Sequence, residues 1–189
     1  MSETMDGDRY IAYHEAGHAV VCLALGHDVE YVSIAPTEEE RLSDPAAVGS
    51  TFCPDCPGEG EFPHHDPAQA KRLLGRLLAG AIATRIQLGD YRWSLANRDL
   101  AAIARLFTRE MPLAGLDALR AKGLRSTTII PFQPGVLELI MGAGLDTMAW
   151  LRSPEVWSRV EAVAESLLEE KRLNNAQLRD LCAHMPPLE

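Results

Sequence analysis

The sequence contains no apolar run long enough to cross a bilayer. Its longest nearly apolar stretches, residues 19–25 and 77–82, fall far short of the roughly 20 residues that a membrane-spanning helix needs. Basic residues are also scarce: 18 lysines and arginines against 27 aspartates and glutamates give a formal net charge of −9. Nucleic acids and anionic membranes bind basic surfaces. The sequence therefore argues against a membrane span and against a nucleic-acid partner.

The first ten residues also lack the features of an export signal. They are polar and acidic, with no basic segment followed by an apolar one. We therefore expect a cytoplasmic protein. With 189 residues, of which 47% are hydrophobic, the chain can bury a proper core. We predict a single globular domain over residues 1–189.

Cysteine is sparse, and its four copies are too unevenly placed for a disulfide framework. Cys22 and Cys182 fall within helical patterns. Both are interpreted as small buried hydrophobic residues.

Two histidines four residues apart, with a glutamate directly after the first, form the most informative motif. On an α-helix His14 and His18 project from one face, and their ring nitrogens can hold a single cation at roughly 2.0–2.1 Å. Glu15 lies next to that face, where it can act as general base on a zinc-activated water. This arrangement is typical of zinc hydrolases and predicts one catalytic zinc ion.

The segment around the motif is predicted to be helical. Asp6 or Asp8 can cap its start, and Gly26 is placed to end it. Gly17 would normally cost about 1 kcal/mol in a helix interior, so its presence predicts the close approach of another backbone or of a ligand. The apolar residues at helical spacing are Ile11, Ala12, Ala16, Ala19, Val20, Leu23 and Ala24.

Two short stretches with the alternation of strands, residues 31–35 and 48–52, predict a small antiparallel hairpin. Further helices are indicated by capping residues and by helical apolar spacing. A less regular stretch, residues 108–135, lies among them. The predicted helices begin at Asp66-Pro67, near Asn97, at Ser153-Pro154 and near Asn174 or Asn175. The fold class is therefore mainly α with one hairpin.

A second group of metal-ligand side chains lies in the loop after the hairpin. Cys53 and Cys56 form a C-x-x-C, and His64 and His65 follow in a segment with little apolar content. Two sulfurs and a histidine can fill a tetrahedral zinc site. A second, structural zinc ion, a redox-active cysteine pair and ordinary loop residues all remain open here.

Catalytic zinc usually has three protein ligands, so the two histidines leave one to be found. A third histidine six residues after His18 would mark the metzincin pattern, but that position is Ala24. The acidic residues 38–40 lie in the turn between the predicted strands, where a solvated acidic face is the better interpretation. These residues leave the third ligand unassigned.

The motif helix, residues 9–21, closely resembles that of the peptidase domain of FtsH-type zinc metalloproteases. Other segments resemble this family in the same order along the chain, so the resemblance spans almost the whole sequence. They are residues 32–36 with 49–51 (the hairpin), 78–89 (the buried helix), 94–100 (the Asn-Asp-Leu segment) and 156–173 (the closing helices).

The resemblance implies that Asp99 is the third zinc ligand. Two departures stand against a perfect match: Arg98 directly precedes Asp99, where the family pattern has asparagine, and residues 108–135 match poorly. An aspartate at this position can also simply stabilise the first turn of a helix through the macrodipole. The two roles are compatible.

The implied activity is a zinc-dependent metalloendopeptidase that hydrolyses peptide bonds of unfolded or flexible polypeptides, with Glu15 as general base. The sequence has no G-x-x-x-x-G-K-[ST] phosphate loop and resembles the peptidase domain alone, so we expect ATP-independent cleavage by the isolated chain. A homo-oligomer or a separate ATPase would be a compatible partner. The alternatives are a zinc-binding, non-catalytic interaction module that acts with such a partner, and an amidase for a small substrate.

Overall fold

The computed structural model describes residues 2–38, 42, 48–56, 66–89, 99–100, 102–103 and 134–188. Within these residues the fold is mainly α, as predicted, with five helices and one small antiparallel sheet. The helices are α1 (Ser2–Ala24), α2 (Pro67–Leu88), α3 (Pro134–Leu151), α4 (Pro154–Glu170) and α5 (Asn175–Leu181). The strands are β1 (Tyr31–Ser33), β2 (Ser50–Phe52) and β3 (Arg172–Asn174). No helix in the described part of the chain is both long and apolar enough to span a membrane.

Helix α1 is the central element of the fold, because it packs against both α2 and α4. Every residue from Ala12 to Cys22 except His18 is buried. The predicted cap at Asp6 or Asp8 is wrong, since the helix already begins at Ser2 and both residues lie inside it. No proline interrupts these first polar residues, so the helix extends through them. Its motif is therefore held inside the protein rather than on a surface helix.

Helix α2 has both of the ends predicted from the sequence. The Asp66 carboxylate accepts hydrogen bonds from the backbone N–H groups of Ala68 and Gln69, at 3.0 and 3.2 Å, which caps the first turn. Gly89 follows the last turn with φ +75°, a left-handed conformation that favours glycine. The cap and the terminator fix where this helix begins and ends.

The C-terminal helices α4 and α5 were predicted correctly, but α3 was not. Glycines and prolines between residues 115 and 144 obscure its helical period. Its buried positions Ala143, Thr147 and Leu151 are four residues apart, so one face packs on the protein interior. Asn174 caps α5 through a capping box with Gln177.

The predicted hairpin is part of a three-stranded sheet in the order β2-β1-β3. Val32 in β1 lies opposite Thr51 on one side and Leu173 on the other. Strand β3 was not predicted, because three residues are too short to show a period and only the middle one, Leu173, is buried. In this sheet β2 is an edge strand, and it also contacts α1.

Candidate metal centre

Small residues let helices α1 and α2 approach closely beside the histidine motif. A Cβ atom at Gly17 would lie 2.6 Å from the carbonyl oxygen of Ala79 and 2.7 Å from the Cβ of Ala83. Such contacts are shorter than real side chains allow. The prediction that Gly17 marks a close approach is thus confirmed, and the approaching backbone is that of α2.

Gly80 lies on the face of α2 that packs against α1, and it leaves room for the imidazole rings of His14 and His18. A Cβ atom at this position would lie 2.5 Å from His18 Nε2 and 2.7 Å from His14 Nδ1. The rings themselves meet edge to face, with centroids 4.7 Å apart. Gly80 was not singled out from the sequence, because a glycine inside an alanine- and leucine-rich helix carries no signal of what it faces.

The three predicted zinc ligands come together, although Asp99 is far from the histidines in sequence. His14 Nε2 and His18 Nε2 are 3.2 Å apart, and Asp99 Oδ2 lies 3.2 and 3.3 Å from them respectively. Two ligands about 2.0–2.1 Å from one tetrahedral zinc ion stand about 3.3–3.4 Å apart. The three atoms therefore have nearly the spacing of one face of such a site and could hold a metal ion.

A backbone carbonyl fixes the orientation of His18. Its Nδ1 atom lies 2.9 Å from the carbonyl oxygen of Arg76 in α2. Because a carbonyl only accepts, Nδ1 carries the proton, and in a neutral ring the lone pair is then on Nε2. Histidine ligands of metals commonly use their second nitrogen in this way. No sequence pattern marks this contact, since any residue at position 76 provides the same carbonyl.

Opposite charges are matched within this buried group. Burial by itself would lower the pKa of His18, but the interactions with Asp99, together with smaller effects of the Glu15 charge and the Arg76 carbonyl, outweigh it and raise this pKa to about 9. Burial would likewise raise the pKa of Asp99, yet the interactions with His18 and His14 together hold it well below its usual range. Asp99 Oδ2 is also buried without a well-formed hydrogen bond. A carboxylate oxygen in this position fits a cation.

Glu15 lies beside the three ligands and is not part of the ligand group. Its side chain is 7% exposed, and Oε2 accepts a hydrogen bond of 2.8 Å from the hydroxyl of Thr51 in β2. Gly49 leaves room for the other oxygen, because a Cβ atom there would lie 2.8 Å from Glu15 Oε1. The sequence around Thr51 does not predict this contact, which forms only because β2 packs against α1.

The second predicted metal group has a different state in the structure. Cys53 and Cys56 are joined by a disulfide, and while it is intact neither sulfur is a thiolate that could bind zinc. His64 and His65 lie outside the described residues. Glu38 is exposed, which fits the predicted acidic face, and Glu39 and Glu40 again lie outside the described residues.

The other two cysteines are free thiols, and both are buried, as predicted. Burial raises the pKa of each to about 11. Cys22 is nevertheless more than a packing residue, because its Sγ atom lies 3.9 Å from that of Cys56.

No protein-family model and no curated protein matches this chain. The likeness to FtsH-type peptidase domains thus remains a prediction carried by the residues quoted above. Support for a function has to come from the chemistry of the site itself.

Proposed function

We propose that this protein is a zinc-dependent metalloendopeptidase of the FtsH peptidase type, with His14, His18 and Asp99 as the metal ligands. The observation that carries the proposal is the convergence of two imidazole nitrogens and one carboxylate oxygen at 3.2–3.3 Å. The Arg76 carbonyl leaves the His18 lone pair directed into this group. Two imidazole nitrogens and a carboxylate oxygen packed so closely fit a shared cation, and without a metal ion the raised pKa of His18 keeps a proton in that place.

The donor set favours zinc in a catalytic role. Two histidines with one carboxylate leave a fourth tetrahedral position open, as catalytic zinc sites do. A zinc ion held there would polarise a carbonyl group and acidify water, which are the two requirements of amide hydrolysis at neutral pH.

Glu15 is proposed as the general acid and base. It is next to the ligands in sequence but outside the ligand group, and Thr51 holds its carboxylate through a 2.8 Å hydrogen bond. In that position it can take the proton of the attacking water and pass it to the leaving amine. A buried carboxylate that is oriented by Thr51 and lies outside the ligand group favours an enzyme over a metal-bound scaffold.

The substrate is proposed to bind as an extended strand along β2. This strand is at the edge of the sheet, and its central residue Thr51 contacts the proposed general base. Adding a strand to a sheet edge is a common way of binding peptides. It requires an extended backbone, so unfolded or flexible polypeptides are the expected substrates, and the isolated chain should need no ATP to cleave them.

The test is a peptide-library cleavage assay on the purified chain, with a denatured protein and its folded form as further substrates. We expect cleavage of peptides and of the denatured form, loss of cleavage on chelation, recovery with zinc, and no effect of ATP. Zinc binding without cleavage of any polypeptide would contradict the proposal and favour the interaction module.

A further inference from the structure

Three of the four cysteines lie together at the C-terminal end of α1. Cys22 Sγ is 3.9 Å from Cys56 Sγ, and the sulfurs of Cys22, Cys53 and Cys56 all lie within 4.8 Å of one another. Two sulfurs about 2.3 Å from one tetrahedral zinc ion stand about 3.8 Å apart. Cys22 is thus already at the distance from Cys56 that two thiolates on one ion would have.

A histidine is brought to the same place by the turn that ends α1. Gly26 has φ +82°, which reverses the chain so that the N–H of His27 donates to the carbonyl of Cys22, at 3.0 Å. A His27 ring nitrogen, Cys53 Sγ and an Asp55 carboxylate oxygen lie within 4.8 Å of one another. One turn of the chain therefore places a nitrogen ligand beside Cys53 Sγ, one of the three sulfurs.

Asp55 holds the turn after α1 against the C-x-x-C segment, which is itself closed by a backbone hydrogen bond. The N–H of Asp28 donates to both carboxylate oxygens of Asp55, at 3.1 and 3.2 Å, and the N–H of Cys56 donates to the carbonyl of Cys53 at 3.3 Å. Such a short C-x-x-C turn is a frequent half of a structural zinc site. Asp55 has its carboxylate occupied in this contact, which leaves His27 as the better fourth ligand.

We propose that Cys22, Cys53, Cys56 and His27 form a second, structural zinc site in the reduced protein. The Cys53–Cys56 disulfide is the oxidised form of two of its four ligands. This site differs from the C-x-x-C group predicted from the sequence, because its remaining ligands come from the end of α1 and not from His64 or His65.

Charge favours this ligand set. Three thiolates and one zinc ion carry a net charge of −1, and the guanidinium of Arg76 lies close enough to Cys22 to interact with its sulfur. A neutral histidine as fourth ligand keeps that balance, whereas the Asp55 carboxylate would add a further negative charge. Outer-shell partners of this kind orient ligands and raise metal affinity.

Reduction of the Cys53–Cys56 disulfide needs no group from the proposed active site. A thiol or phosphine reductant supplies two electrons to the Cys53–Cys56 bond, and two protons from solvent complete the thiols. Binding of zinc then releases the protons of the coordinating thiols.

The site would fix the chain that passes the proposed active site. Cys53 directly follows β2, whose Thr51 holds Glu15. Arg76 serves both clusters, since its carbonyl binds His18 and its side chain reaches Cys22. A structural ion at this point would hold the end of β2 against the C-terminal end of α1.

The experiment uses cobalt(II) and the full chain, reduced with a phosphine under inert gas. Thiolate-bound cobalt absorbs strongly in the near ultraviolet through sulfur-to-metal charge transfer, whereas the His14, His18 and Asp99 ligands contain no sulfur. We expect this band in the reduced chain and none in the same chain with its disulfide intact. Absence of the band in the reduced chain would overturn the proposal, whether or not the protein cleaves peptides.

Variants then test the ligand assignment. Cys22→Ser and His27→Ala should weaken cobalt binding at the sulfur site by more than the roughly 10–100-fold that loss of an outer-shell partner costs. Cys182→Ser is the matched control, since Cys182 is also a buried free thiol but lies outside the cluster. An unchanged band and affinity in Cys22→Ser, or loss of the band in Cys182→Ser, would contradict the assignment. The reduced-versus-oxidised comparison remains decisive if a variant does not fold.

Discussion

Two clusters of side chains that could hold a metal ion lie along one face of α1, and they differ in chemistry. His14, His18 and Cys22 follow each other at four-residue spacing, so both clusters use the same helix face. The histidines meet Asp99 through nitrogen and oxygen atoms 3.2–3.3 Å apart, whereas Cys22 meets a pair of sulfurs that are bonded to each other. Helix α1 fixes the positions of His14, His18 and Cys22. The segments that pack against it supply either a carboxylate or a pair of cysteines, and only the cysteine pair changes with redox state.

The largest effect that separates binding from catalysis is expected from Glu15→Gln. The amide keeps the shape and a hydrogen bond with Thr51 but cannot accept a proton, so peptide cleavage should fall by roughly 10²–10⁴-fold. Zinc content should stay unchanged in elemental analysis. Glu38→Gln, an exposed glutamate, is the control and should cleave normally. Loss of zinc in Glu15→Gln would show that this residue is a ligand.

Asp99→Ala should next break the first cluster and leave the second intact. Removal of one of three ligands should lower zinc affinity at the histidines by more than about 10–100-fold, while the cobalt–thiolate band stays. Asp146→Ala removes an exposed aspartate that pairs with Lys71 and should leave both sites unchanged. Full zinc affinity in Asp99→Ala would redirect the search for the third ligand to other acidic residues.

The helix crossing that supports both clusters can be tested at Gly17. A methyl group there has no space against Ala79 and Ala83, so Gly17→Ala should lower the free energy of unfolding by about 1–3 kcal/mol. Gly7→Ala is the matched control in the same helix, since a Cβ there meets nothing within 4 Å. Urea unfolding of both variants gives the comparison, and equal stability would contradict the close approach of α2.

The smallest effect is expected from the contact between β2 and Glu15, the proposed general base. Thr51→Val removes a hydroxyl that donates to Glu15 at 2.8 Å, which should cost about 1 kcal/mol and reduce kcat/KM by roughly 5-fold. Thr51→Ser keeps the hydroxyl and should restore most of the activity. If Val and Ser behave alike in steady-state kinetics, the hydrogen bond does not position Glu15.

The ligand motif and its helix could be predicted from sequence because local rules are enough for them. Two histidines at helical spacing, the aspartate cap of α2 and the start of α5 near Asn174 each depend on neighbours within four residues. The supporting groups depend on contacts between distant segments. The Arg76 carbonyl, the space at Gly80 and the Thr51 hydroxyl become visible only when α1, α2 and β2 are packed together.

The contact between Cys22 and Cys56 could not be predicted either, because it too joins segments that are distant in sequence. C-x-x-C at Cys53 and Cys56 is a local pattern that can be recognised in the sequence. Cys22 looked like an ordinary apolar position because its burial, not its neighbours in space, is what helical spacing predicts.

The most direct test of the central claim is zinc-edge X-ray absorption on the chain with its Cys53–Cys56 disulfide intact. In this form the sulfur cluster lacks two of its thiolates, so only the first cluster should hold the ion. We predict about one zinc per chain, with a first shell of nitrogen and oxygen atoms at roughly 2.0–2.1 Å that includes two imidazoles. A chain without zinc, or a first shell that contains sulfur, would contradict the assignment of His14, His18 and Asp99.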